Sequence, residues 1–356
     1  MVAKFEKTAG FEISGRIVGH GHPCFIIAEA GVNHNGDMGM ARQLIDAAVR
    51  SGADAVKFQT FKAERVITAG APKAEYQKAT TDANESQMEM IRRFELSPEN
   101  HRELMSYCEE RGIIFMSSFF DEESADLLEG LDMAVFKVPS GEITNLPLLA
   151  HTAGKGKPMV VSTGMAYLGE VEAALRVIRE AGNPDLVLLH CVSNYPADPA
   201  DVNLSAMGTM SAAFGVPVGY SDHTLGVEVS IAAVALGACM IEKHLTLDRG
   251  LPGPDHRASL EPEEFTVMVR GIRVVESTIG HGRKEPAASE ASTASVGRKS
   301  LVASRNIPAG TELTLDLIAI KRPGTGLPPA MREHLIGRRA QVDISADSLI
   351  TLEMLG

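Results

Sequence analysis

Residues 24–36 read CFIIAEAGVNHNG, an apolar run that leads into Glu29 and a turn rich in glycine and asparagine. A second apolar run, LVLLHC at residues 186–191, leads into the polar turn VSNYP. Nearly continuous apolar runs are typical of parallel strands that helices cover on both faces. Between them, MARQLIDAAVRSG at residues 40–52 has helical spacing and a glycine stop. The chain is therefore predicted to alternate strands and helices.

This alternation comprises eight strands followed by helical segments and ends near Gly280. Eight such units fit the usual length of a closed barrel, about 250 residues. The predicted fold class is therefore α/β, with a (β/α)₈ TIM barrel. A doubly wound open sheet is the alternative, but no G-x-G-x-x-G turn follows the first strand. The strands are predicted at residues 25–32, 55–61, 113–120, 133–140, 158–165, 186–196, 217–224 and 240–246.

Two stretches interrupt the pattern and suggest a division into domains. Residues 62–85 form a connection much longer than the usual βα loop, either a disordered insertion or a lid. After a barrel domain at 1–280, the small and polar composition of 281–297 predicts a linker. Residues 298–356 contain the strand-like runs SLVAS, QVDIS and LITLEM, which predict a small β-rich domain. A module of this size has a marginal core, so we expect it to dock on a barrel.

The composition of the chain excludes several classes of protein. The 356 residues include 34 Lys and Arg against 46 Asp and Glu, a net charge of −12. An acidic chain is a poor candidate for coating nucleic acid, although local cations can still bind a small anion. No apolar run approaches the ~20 residues that span a bilayer, and the N-terminal MVAKFEKTAGFEISG resembles no secretory signal.

The four cysteines, Cys24, Cys108, Cys191 and Cys239, are scattered and form no C-x-x-C pair. Scattered cysteines in a long chain without a signal are typical of buried free thiols in a reducing compartment. We therefore expect a soluble cytoplasmic protein.

Each predicted strand has polar or ionisable side chains near its carboxyl end. In TIM-barrel enzymes the active site lies at the carboxyl ends of the strands. Polar groups at all eight of these ends therefore predict an enzyme. The side chains in question are Glu29; Lys57 and Gln59; Ser117 and Ser118; Lys137, Ser140 and Glu142; Ser162 and Thr163; His190, Ser193, Asn194 and Tyr195; Ser221, Asp222 and His223; and Glu242, Lys243 and His244.

Among these side chains, two lysines stand within a ring of hydroxyl groups. Such a ring of cations and neutral donors is what a phosphate together with a carboxylate requires. The alternative is structural, since a buried lysine commonly pairs with a carboxylate such as Glu29 or Glu242. The ring consists of Lys57, Lys137, Ser118, Ser140, Ser162 and Ser221.

His223 and His244 lie on neighbouring predicted strands, so their imidazoles can converge on one divalent metal. Two histidines leave coordination positions for water or substrate, which is typical of a Lewis acid and not of a structural metal. Glu29 and Glu142 are candidates for proton transfer or for binding sugar hydroxyls.

The chain resembles the sialic acid synthase family in a series of motifs in the same order, namely FIIAEAGVNHNG, GADAVKFQT, FKVPSGE, STGM, HCVSNYP, GYSDHT, IEKHLTLDR and GPDH. The tail, with RKSLVAS, IPAG and IAIKRPGTGL, is similar to that family's C-terminal antifreeze-like domain. The resemblance covers nearly the whole chain.

In that family a TIM barrel condenses phosphoenolpyruvate with an N-acetylmannosamine-type sugar, giving a nine-carbon 2-keto acid such as N-acetylneuraminate, and phosphate. The resemblance implies a transferase that forms the carbon–carbon bond in a metal-assisted aldol-like step and expels phosphate by C–O cleavage. It implies that phosphoenolpyruvate is held by Lys57, Ser118, Lys137, Ser140, Ser162, Ser193 and Ser221. Other members carry threonine or asparagine at the positions of Ser118 and Ser193.

The remaining roles also follow from the resemblance. His223 and His244 would ligate Mn²⁺ or Mg²⁺, and Glu142 would handle a proton or position the attacking water. Arg322 would reach the N-acetyl group from the partner subunit's C-terminal domain, which implies a domain-swapped homodimer. The sugar hydroxyls would be bound by Glu29, Tyr195 and Asp255.

The sequence leaves the sugar open between N-acetylmannosamine, a 2,4-diacetamido-trideoxymannose that gives a legionaminic acid, and the altrose isomer that gives pseudaminic acid. The segments APKAEYQKATTD and SNYP look somewhat like those of legionaminate synthases. Such an enzyme needs an apolar surface where the 6-hydroxyl is missing, which Phe58 and Phe61 of KFQTF could supply.

Two rivals come from other classes. A Schiff-base aldolase would use Lys57, Lys137 or Lys243 as its nucleophile, but the histidine pair would then have no role. A non-catalytic binding module would have no need of paired histidines and two glutamates.

Overall fold

The computed structural model describes residues 10–74, 77–78, 81, 85–183 and 185–356. The chain divides into two compact units, Met1–Gly280 and His281–Gly356. Residues 1–9 of the N-terminal stretch, and residues 75–76, 79–80 and 82–84 of the predicted insertion or lid at 62–85, lie outside the described residues.

The first unit is a closed barrel of eight parallel strands, as the sequence predicts. A short antiparallel hairpin, β1 (Phe11–Ile13) and β2 (Arg16–Val18), precedes the barrel. The last barrel strand pairs with the first, with His244 opposite Glu29, and this pairing closes the sheet. The strands are β3 (Phe25–Gly31), β4 (Ala55–Thr60), β5 (Ile114–Phe119), β6 (Phe136–Val138), β7 (Met159–Ser162), β8 (Leu186–Cys191), β9 (Val218–Asp222) and β10 (Met240–His244).

The strand ends differ from the predicted bounds most clearly at β6, which is shorter than the predicted 133–140. Pro139 has no N–H to offer a neighbouring strand, and a 3₁₀ turn, Ser140–Glu142, follows it directly. The predicted strand at 186–196 likewise ends at Cys191, before the polar turn.

Helices cover the outside of the barrel, and side chains cap the amino ends of several of them. The segment predicted at 40–52 is helical from Met38 to Arg50, with the Asp37 side chain accepting from the Met40 N–H. Ser97 caps the helix that begins at Pro98. The helices of this unit are α1 (Met38–Arg50), α2 (Ala63–Val66), α3 (Gln87–Arg92), α4 (Pro98–Arg111), α5 (Glu122–Gly130), α6 (Leu146–Ala153), α7 (Leu168–Glu180), α8 (Ser205–Phe214), α9 (Glu228–Ala235) and α10 (Pro262–Ile279).

No helix in the described part of the chain is both long and apolar enough to cross a membrane. All four cysteines are buried free thiols, as the sequence predicts.

The barrel interior is apolar at its amino-terminal end. Phe11, Ile13 and Val18 of the hairpin pack there against a cluster that includes Phe25 and Met240. Because side chains alternate along each strand, the next inward positions toward the carboxyl ends are two residues further on. Those positions are polar, and they form the floor of the candidate site.

The second unit contains an antiparallel pair, β11 (Ser300–Ala303) and β12 (Ile318–Lys321), over its own apolar cluster. Of the three strand-like runs predicted in this unit, SLVAS forms a strand in the structure. QVDIS and LITLEM form isolated bridges instead, such as Ile344 with Ile307. Their short runs are broken by turns, so neither extends into a ladder.

Residues 281–297, predicted as a linker, differ from that expectation because they include a helix, α11 (Ala291–Gly297). The many alanines of this segment have high helix propensity. The helix is joined to the rest of the unit by the Gly324 N–H, which donates to the Ser295 carbonyl. A further short helix, α12, spans Arg332–Leu335.

Candidate active site

The inward side chains near the carboxyl ends of the strands form one polar layer. Across neighbouring strands Ser118 lies opposite Lys137, and Ser221 lies opposite both Cys191 and Glu242. These side chains are all buried. This layer of charged and hydroxyl side chains, here called the floor, lies on the carboxyl-end side of the apolar barrel interior.

Two lysines and two glutamates alternate across this floor. Lys57 Nζ lies 2.7 Å from Glu29 Oε2 and 3.8 Å from Glu242 Oε2. Lys137 Nζ lies 3.6 Å from Glu242 Oε1. Both lysines thus pair with Glu29 or Glu242, as the alternative of purely structural ion pairs predicts. The formal charges of the two lysines and the two glutamates sum to zero.

Hydroxyl groups extend the same network. Lys57 Nζ donates to Ser118 Oγ at 2.8 Å, and Lys137 Nζ donates to Ser162 Oγ at 2.8 Å. Ser221 Oγ donates to Glu242 Oε1 at 3.1 Å. Each cation is therefore already oriented by at least one carboxylate and by one hydroxyl.

The charges respond to burial and to one another. Although burial alone would lower it, the carboxylates of Glu242 and Glu29 raise the pKa of Lys57. Burial raises the pKa of Glu29 despite the adjacent Lys57, and burial lowers the pKa of Lys137. Burial also acts to raise the pKa of Glu242, but Lys137 and Lys57 outweigh it and the pKa is lowered.

The two predicted metal-binding histidines lie side by side at the edge of the floor, with ring centroids 5.3 Å apart. His223 Nδ1 lies 2.8 Å from the Val192 carbonyl, which can only accept, so Nδ1 carries a hydrogen and Nε2 is the nitrogen that a metal could take in the neutral ring. His244 Nδ1 is buried without a hydrogen-bond partner among the described residues. This pair of imidazoles is suited to a divalent metal.

Among the described residues, no three His, Cys, Asp or Glu side chains are grouped to hold a metal ion. A metal held by these two imidazoles alone would need further ligands from water or substrate. Burial lowers the pKa of His244 far below its ordinary value, which keeps this imidazole neutral.

Tyr195 and Asp255 stand beside the histidines. The Tyr195 ring lies 4.1 Å from the His223 ring and 5.5 Å from the His244 ring, centroid to centroid. Asp255 Oδ2 lies 3.9 Å from His244 Nδ1, and burial raises the pKa of Asp255 to about 7. Two of the three groups that the resemblance assigns to the sugar hydroxyls thus lie beside the histidines.

A cavity of about 380 Å³ opens above the floor. Its lining brings together every predicted site residue except Glu142 and Arg322, namely Glu29, Lys57, Ser118, Lys137, Ser140, Ser162, Ser193, Tyr195, Ser221, His223, His244 and Asp255.

Glu142 and Arg322 are placed elsewhere. Glu142 ends the 3₁₀ turn after β6, and its carboxylate accepts from Asn145 Nδ2 at 2.8 Å. Arg322 belongs to the second unit, where it is exposed and its Nε donates to the Gly297 carbonyl at 3.0 Å.

Sequence reasoning named Gln59 among the strand-end side chains without giving it a role, named Cys191 only as a buried thiol, and weighed Glu242 only as a partner for lysine. All three line the cavity. Gln59 donates to Glu29 Oε1 at 3.1 Å, and Cys191 Sγ lies 3.7 Å from His223 Nδ1. The alternation of side chains along the strands could have identified them. Gln59 and Glu242 each lie two residues from a predicted site residue, Lys57 and His244, and Cys191 lies opposite Ser221.

Comparison with known proteins agrees with this geometry. The NeuB family matches residues 44–284, and the SAF domain matches residues 298–356. The N,N'-diacetyllegionaminic acid synthase of Legionella pneumophila subsp. pneumophila is 47% identical over 334 residues, 93% of this chain and 94% of that protein. The N-acetylneuraminate-9-phosphate synthase of Homo sapiens is 39% identical, over 96% of this chain and 95% of that protein.

Among solved structures, the N-acetylneuraminic acid (sialic acid) synthetase from Leptospira borgpetersenii serovar Hardjo-bovis is similar, with a TM-score of 0.73 and 33% identity. The similarity covers 81% of this chain and 95% of that one. The chain therefore belongs to the NeuB family of sialic acid synthases and carries a C-terminal SAF, or antifreeze-like, domain.

Proposed function

We propose that the protein is a nonulosonic acid synthase, a transferase that condenses phosphoenolpyruvate with an N-acetylated mannosamine-type sugar to give a nine-carbon 2-keto acid and phosphate. One observation carries the proposal. Two buried lysines within a set of hydroxyls share a single cavity with a buried imidazole pair. Such a cavity has cations for the phosphate and carboxylate, and donors for a metal beside them.

The floor would bind phosphoenolpyruvate. The ammonium groups of Lys57 and Lys137 would hold its phosphate and carboxylate, with hydroxyls from Ser118, Ser140 and Ser162 as neutral donors. Ser193 and Ser221 complete this set. Because Glu29 and Glu242 already fix the two lysines, the cations are oriented before the substrate arrives, and this preorganisation favours the transition state.

The histidine side would bind the sugar. Glu29, Tyr195 and Asp255 would receive its hydroxyls, and this would set the aldehyde carbon opposite carbon 3 of the enol. Mn²⁺ or Mg²⁺, held by His223 and His244, would supply Lewis-acid polarisation of a carbonyl when bound. Carbon 3 attacks the aldehyde, positive charge develops at carbon 2, water adds there, and the C–O bond to phosphate breaks.

Glu29 is the group best suited to exchange a proton during these reaction steps. It lines the cavity, and burial raises its pKa from the ordinary value. A carboxyl whose pKa moves toward neutrality is more effective as an acid or base near pH 7. Glu142, turned toward Asn145, would position the attacking water only if its side chain reoriented.

The proposal also includes the oligomeric state of the protein. We infer a homodimer in which Arg322 of the partner subunit binds the N-acetyl group of the sugar. Arg322 is exposed in its own unit and has no carboxylate partner among the described residues, so its guanidinium has donors to offer. A soluble cytoplasmic enzyme would suit phosphorylated and keto-acid metabolites.

A second candidate sugar is 2,4-diacetamido-2,4,6-trideoxymannose, which would make the product a legionaminic acid. Two relatives, from Legionella pneumophila and Campylobacter jejuni, are each 47% identical to this chain and are N,N'-diacetyllegionaminic acid synthases. The apolar part of the cavity lining favours this sugar as well. Pseudaminic acid synthase of Campylobacter jejuni is more distant, at 34% identity.

The environment of Lys57 does not favour the Schiff-base alternative, because an amine nucleophile needs a lowered pKa and the neighbouring carboxylates raise the pKa of Lys57. Burial lowers the pKa of Lys137 and of Lys243, but in a Schiff-base reaction the imidazole pair in the same cavity as Lys137 would have no role. Lys243 is paired with Asp222 at 2.8 Å, and both side chains are fully buried outside the cavity lining.

The test is phosphate release from phosphoenolpyruvate with Mn²⁺, N-acetylmannosamine or its 2,4-diacetamido-trideoxy analogue, with and without EDTA. We expect release that requires both sugar and metal, and the faster sugar identifies the branch. Release without any sugar, or none with either sugar, would contradict the proposal.

A further inference from the structure

The orientation of a sugar in the cavity depends on polar groups, because an apolar surface forms no directional bonds. The sequence predicts an apolar surface from the two phenylalanines of KFQTF, but only Phe61 lines the cavity, since Phe58 is fully buried in the outer core. The groups proposed to receive the sugar hydroxyls are Glu29, Tyr195 and Asp255. Asp255 lies in the loop after β10, and a loop holds a side chain less precisely than a strand does. The position of Asp255 therefore depends on contacts that fix its loop.

Asp255 is held through its backbone and not through its carboxylate. The residue is buried and lines the cavity. Its Oδ2 lies 3.9 Å from His244 Nδ1, beyond hydrogen-bond distance, and neither carboxylate oxygen bonds to another described residue. Its carbonyl, by contrast, accepts from the Ser259 hydroxyl at 2.7 Å and from the Ala258 N–H at 3.1 Å. The carboxylate is thus left for a ligand, while the backbone behind it is fixed.

Backbone bonds close the base of the loop that carries Asp255. The Thr246 N–H donates to the Leu260 carbonyl at 2.9 Å, and the Leu260 N–H donates to the His244 carbonyl at 2.9 Å. These bonds lie several residues along the chain from Asp255, so they leave the middle of the loop unsupported. Support there comes from the neighbouring strand, because β10 pairs directly with β3.

The turn after β3 reaches the middle of the loop through Asn33, which is buried. Asn33 Nδ2 donates to the Ser259 hydroxyl at 2.9 Å and to the Leu245 carbonyl at 2.9 Å. A carbonyl can only accept, so the amide nitrogen must be the atom that faces it. Because Ser259 gives its own hydrogen to the Asp255 carbonyl, an unbroken chain of hydrogen bonds joins Asn33 to Asp255.

A second contact joins the same turn and loop. His256 is buried, with its Nε2 at 3.3 Å from Asn35 Oδ1 and its Nδ1 at 2.7 Å from Thr246 Oγ1. Gly253 approaches the same place so closely that an added Cβ would lie 2.7 Å from His256 Cδ2 and 3.0 Å from Asn35 Oδ1. The loop is therefore packed against the turn over residues 253–259.

We propose that Asn33 and Ser259 are positioning residues, which hold the Asp255 carboxylate where it receives a hydroxyl group of the sugar. This inference rests on the proposed function, because it takes Asp255 as a group that binds the sugar. Neither Asn33 nor Ser259 is among the residues that line the cavity, so both act on the sugar only through Asp255. Binding of phosphoenolpyruvate should not depend on them, because Lys57 and Lys137 lie on other strands.

Ser259→Ala removes one oxygen atom and breaks the chain of hydrogen bonds. We expect kcat/KM for the sugar to fall about 10- to 100-fold, since a misplaced binding group costs up to about 100-fold, and KM for phosphoenolpyruvate to stay within about 2-fold. Ser259→Thr keeps the hydroxyl and should restore most of the loss. The readout is phosphate release with Mn²⁺ and the faster of the two candidate sugars. Asn33→Ala breaks the chain at its other end and decides the matter if Ser259→Ala fails to fold.

Ser51→Ala is the matched control. Ser51 is also a buried serine, and its hydroxyl donates to the Pro262 carbonyl at 3.1 Å, between the end of α1 and the start of α10. Loss of this bond should lower the midpoint of thermal unfolding about as much as Ser259→Ala does, because each variant removes one hydrogen bond to a backbone carbonyl. It should leave kcat/KM for the sugar unchanged.

A double-variant cycle separates positioning from a general structural role. Asp255→Ala removes the group that is positioned, so adding Ser259→Ala to it should change kcat/KM for the sugar by less than about 2-fold. A general structural role would instead lower kcat/KM by the same factor in the native and Asp255→Ala backgrounds.

Equal factors in the two backgrounds would overturn the inference. Native values of kcat/KM for the sugar in Ser259→Ala and Asn33→Ala, or in Asp255→Ala, would overturn it as well. In each of these cases the native enzyme still releases phosphate, and the proposed function stands. Absence of phosphate release by the native enzyme, both with N-acetylmannosamine and with its 2,4-diacetamido analogue, would instead contradict the proposed function itself.

Discussion

Gly164 shows how a single residue can decide the shape of the floor. Its N–H donates to Ser140 Oγ at 3.0 Å, and a Cβ atom on Gly164 would lie 2.8 Å from the same oxygen and still closer to Ser193 Oγ. Both hydroxyls belong to the set proposed to hold phosphoenolpyruvate. Glycine is therefore required here by close approach and not by backbone conformation.

Gly164→Ala should displace both hydroxyls and raise KM for phosphoenolpyruvate about 10-fold or more, the effect of a lost charge-assisted contact. Thermal unfolding should change little, because the crowding falls on cavity side chains. The control is Gly169→Ala in α7, where an added Cβ meets nothing within 4 Å. A KM equal to that of the native enzyme would contradict the assignment of Ser140 and Ser193.

His34 links one residue to the pH dependence of stability. It is buried, its Nδ1 accepts from the Gly36 N–H, and burial lowers its pKa from 6.5 to about 4. The unfolded chain therefore binds a proton at a higher pH than the folded chain. The stability that neutral His34 contributes is complete above about pH 6.5 and is lost as the pH falls toward 4.

Between pH 7 and pH 5 this residue should account for a loss of about 2 kcal/mol in the free energy of unfolding. His34→Gln removes the titration, so its loss over the same interval should be smaller by that amount. Urea unfolding of both proteins at the two pH values measures the difference. Identical losses would show that His34 is protonated in the folded protein.

Most residues of the floor could be predicted from the sequence, because strand alternation fixes which side chains point inward. Lys57, Ser118 and Lys137 were found in this way. Cys191 could not be predicted in this way, since a single cysteine in an apolar run is typical of a residue in the hydrophobic core. The placement of Glu142 depends on the turn after Pro139, whose local geometry strand periodicity does not report.

At the scale of the element, the neighbouring strands β9 and β10 are joined by a buried ion pair directly behind the histidines. Lys243 Nζ lies 2.8 Å from Asp222 Oδ2 and donates to the Thr224 carbonyl at 2.6 Å. Asp222 also accepts from Ser230 Oγ and from Thr224. Because every polar atom of this pair is bonded, the pair fixes the strands that carry His223 and His244.

Lys243→Met leaves the Asp222 carboxylate buried without its cation, which typically costs about 3–5 kcal/mol of stability. The double variant Asp222→Asn/Lys243→Met removes the uncompensated charge and should recover part of the loss. Lys155→Met is the control, since its partners Asp126 and Glu129 are about half exposed and the change should cost at most about 1 kcal/mol. Urea unfolding compares the three proteins, and equal losses for Lys243→Met and Lys155→Met would be inconsistent with a buried pair.

The elements themselves were predicted with different success. Each of the eight barrel strands falls within a predicted strand, and the signal is strongest where burial on both faces gives a nearly continuous apolar run, as in β3 and β8. In the second unit, QVDIS and LITLEM have strand-like composition but form only isolated bridges. The sequence predicts a linker where helix α11 lies, because small and polar residues occur both in linkers and in short helices.

At the scale of the whole molecule, the two compact units are the barrel and the SAF domain. The SAF domain has its own apolar cluster, and Arg322 is exposed on it. A small appended domain is explained if it contributes to the site of a partner subunit, as proposed. The sequence could predict this arrangement only through resemblance, because no periodicity reports an assembly.

Arg322→Ala should raise KM for the sugar about 10-fold or more and leave KM for phosphoenolpyruvate within about 2-fold, since a buried charge-assisted contact is worth about 1.5–3 kcal/mol. The control is Arg305→Ala in the same unit, an exposed arginine paired with Asp316. Sedimentation should show both variants as dimers. Equal effects on the two KM values would contradict a sugar-specific role.

The most direct test of the reaction follows the oxygen that joins carbon 2 of phosphoenolpyruvate to phosphorus. With ¹⁸O at this position, the native enzyme, Mn²⁺ and the preferred sugar, mass spectrometry should find the label entirely in the released phosphate, because the C–O bond breaks. Label retained in the keto acid would show cleavage of the P–O bond and would contradict the addition of water at carbon 2 followed by C–O cleavage.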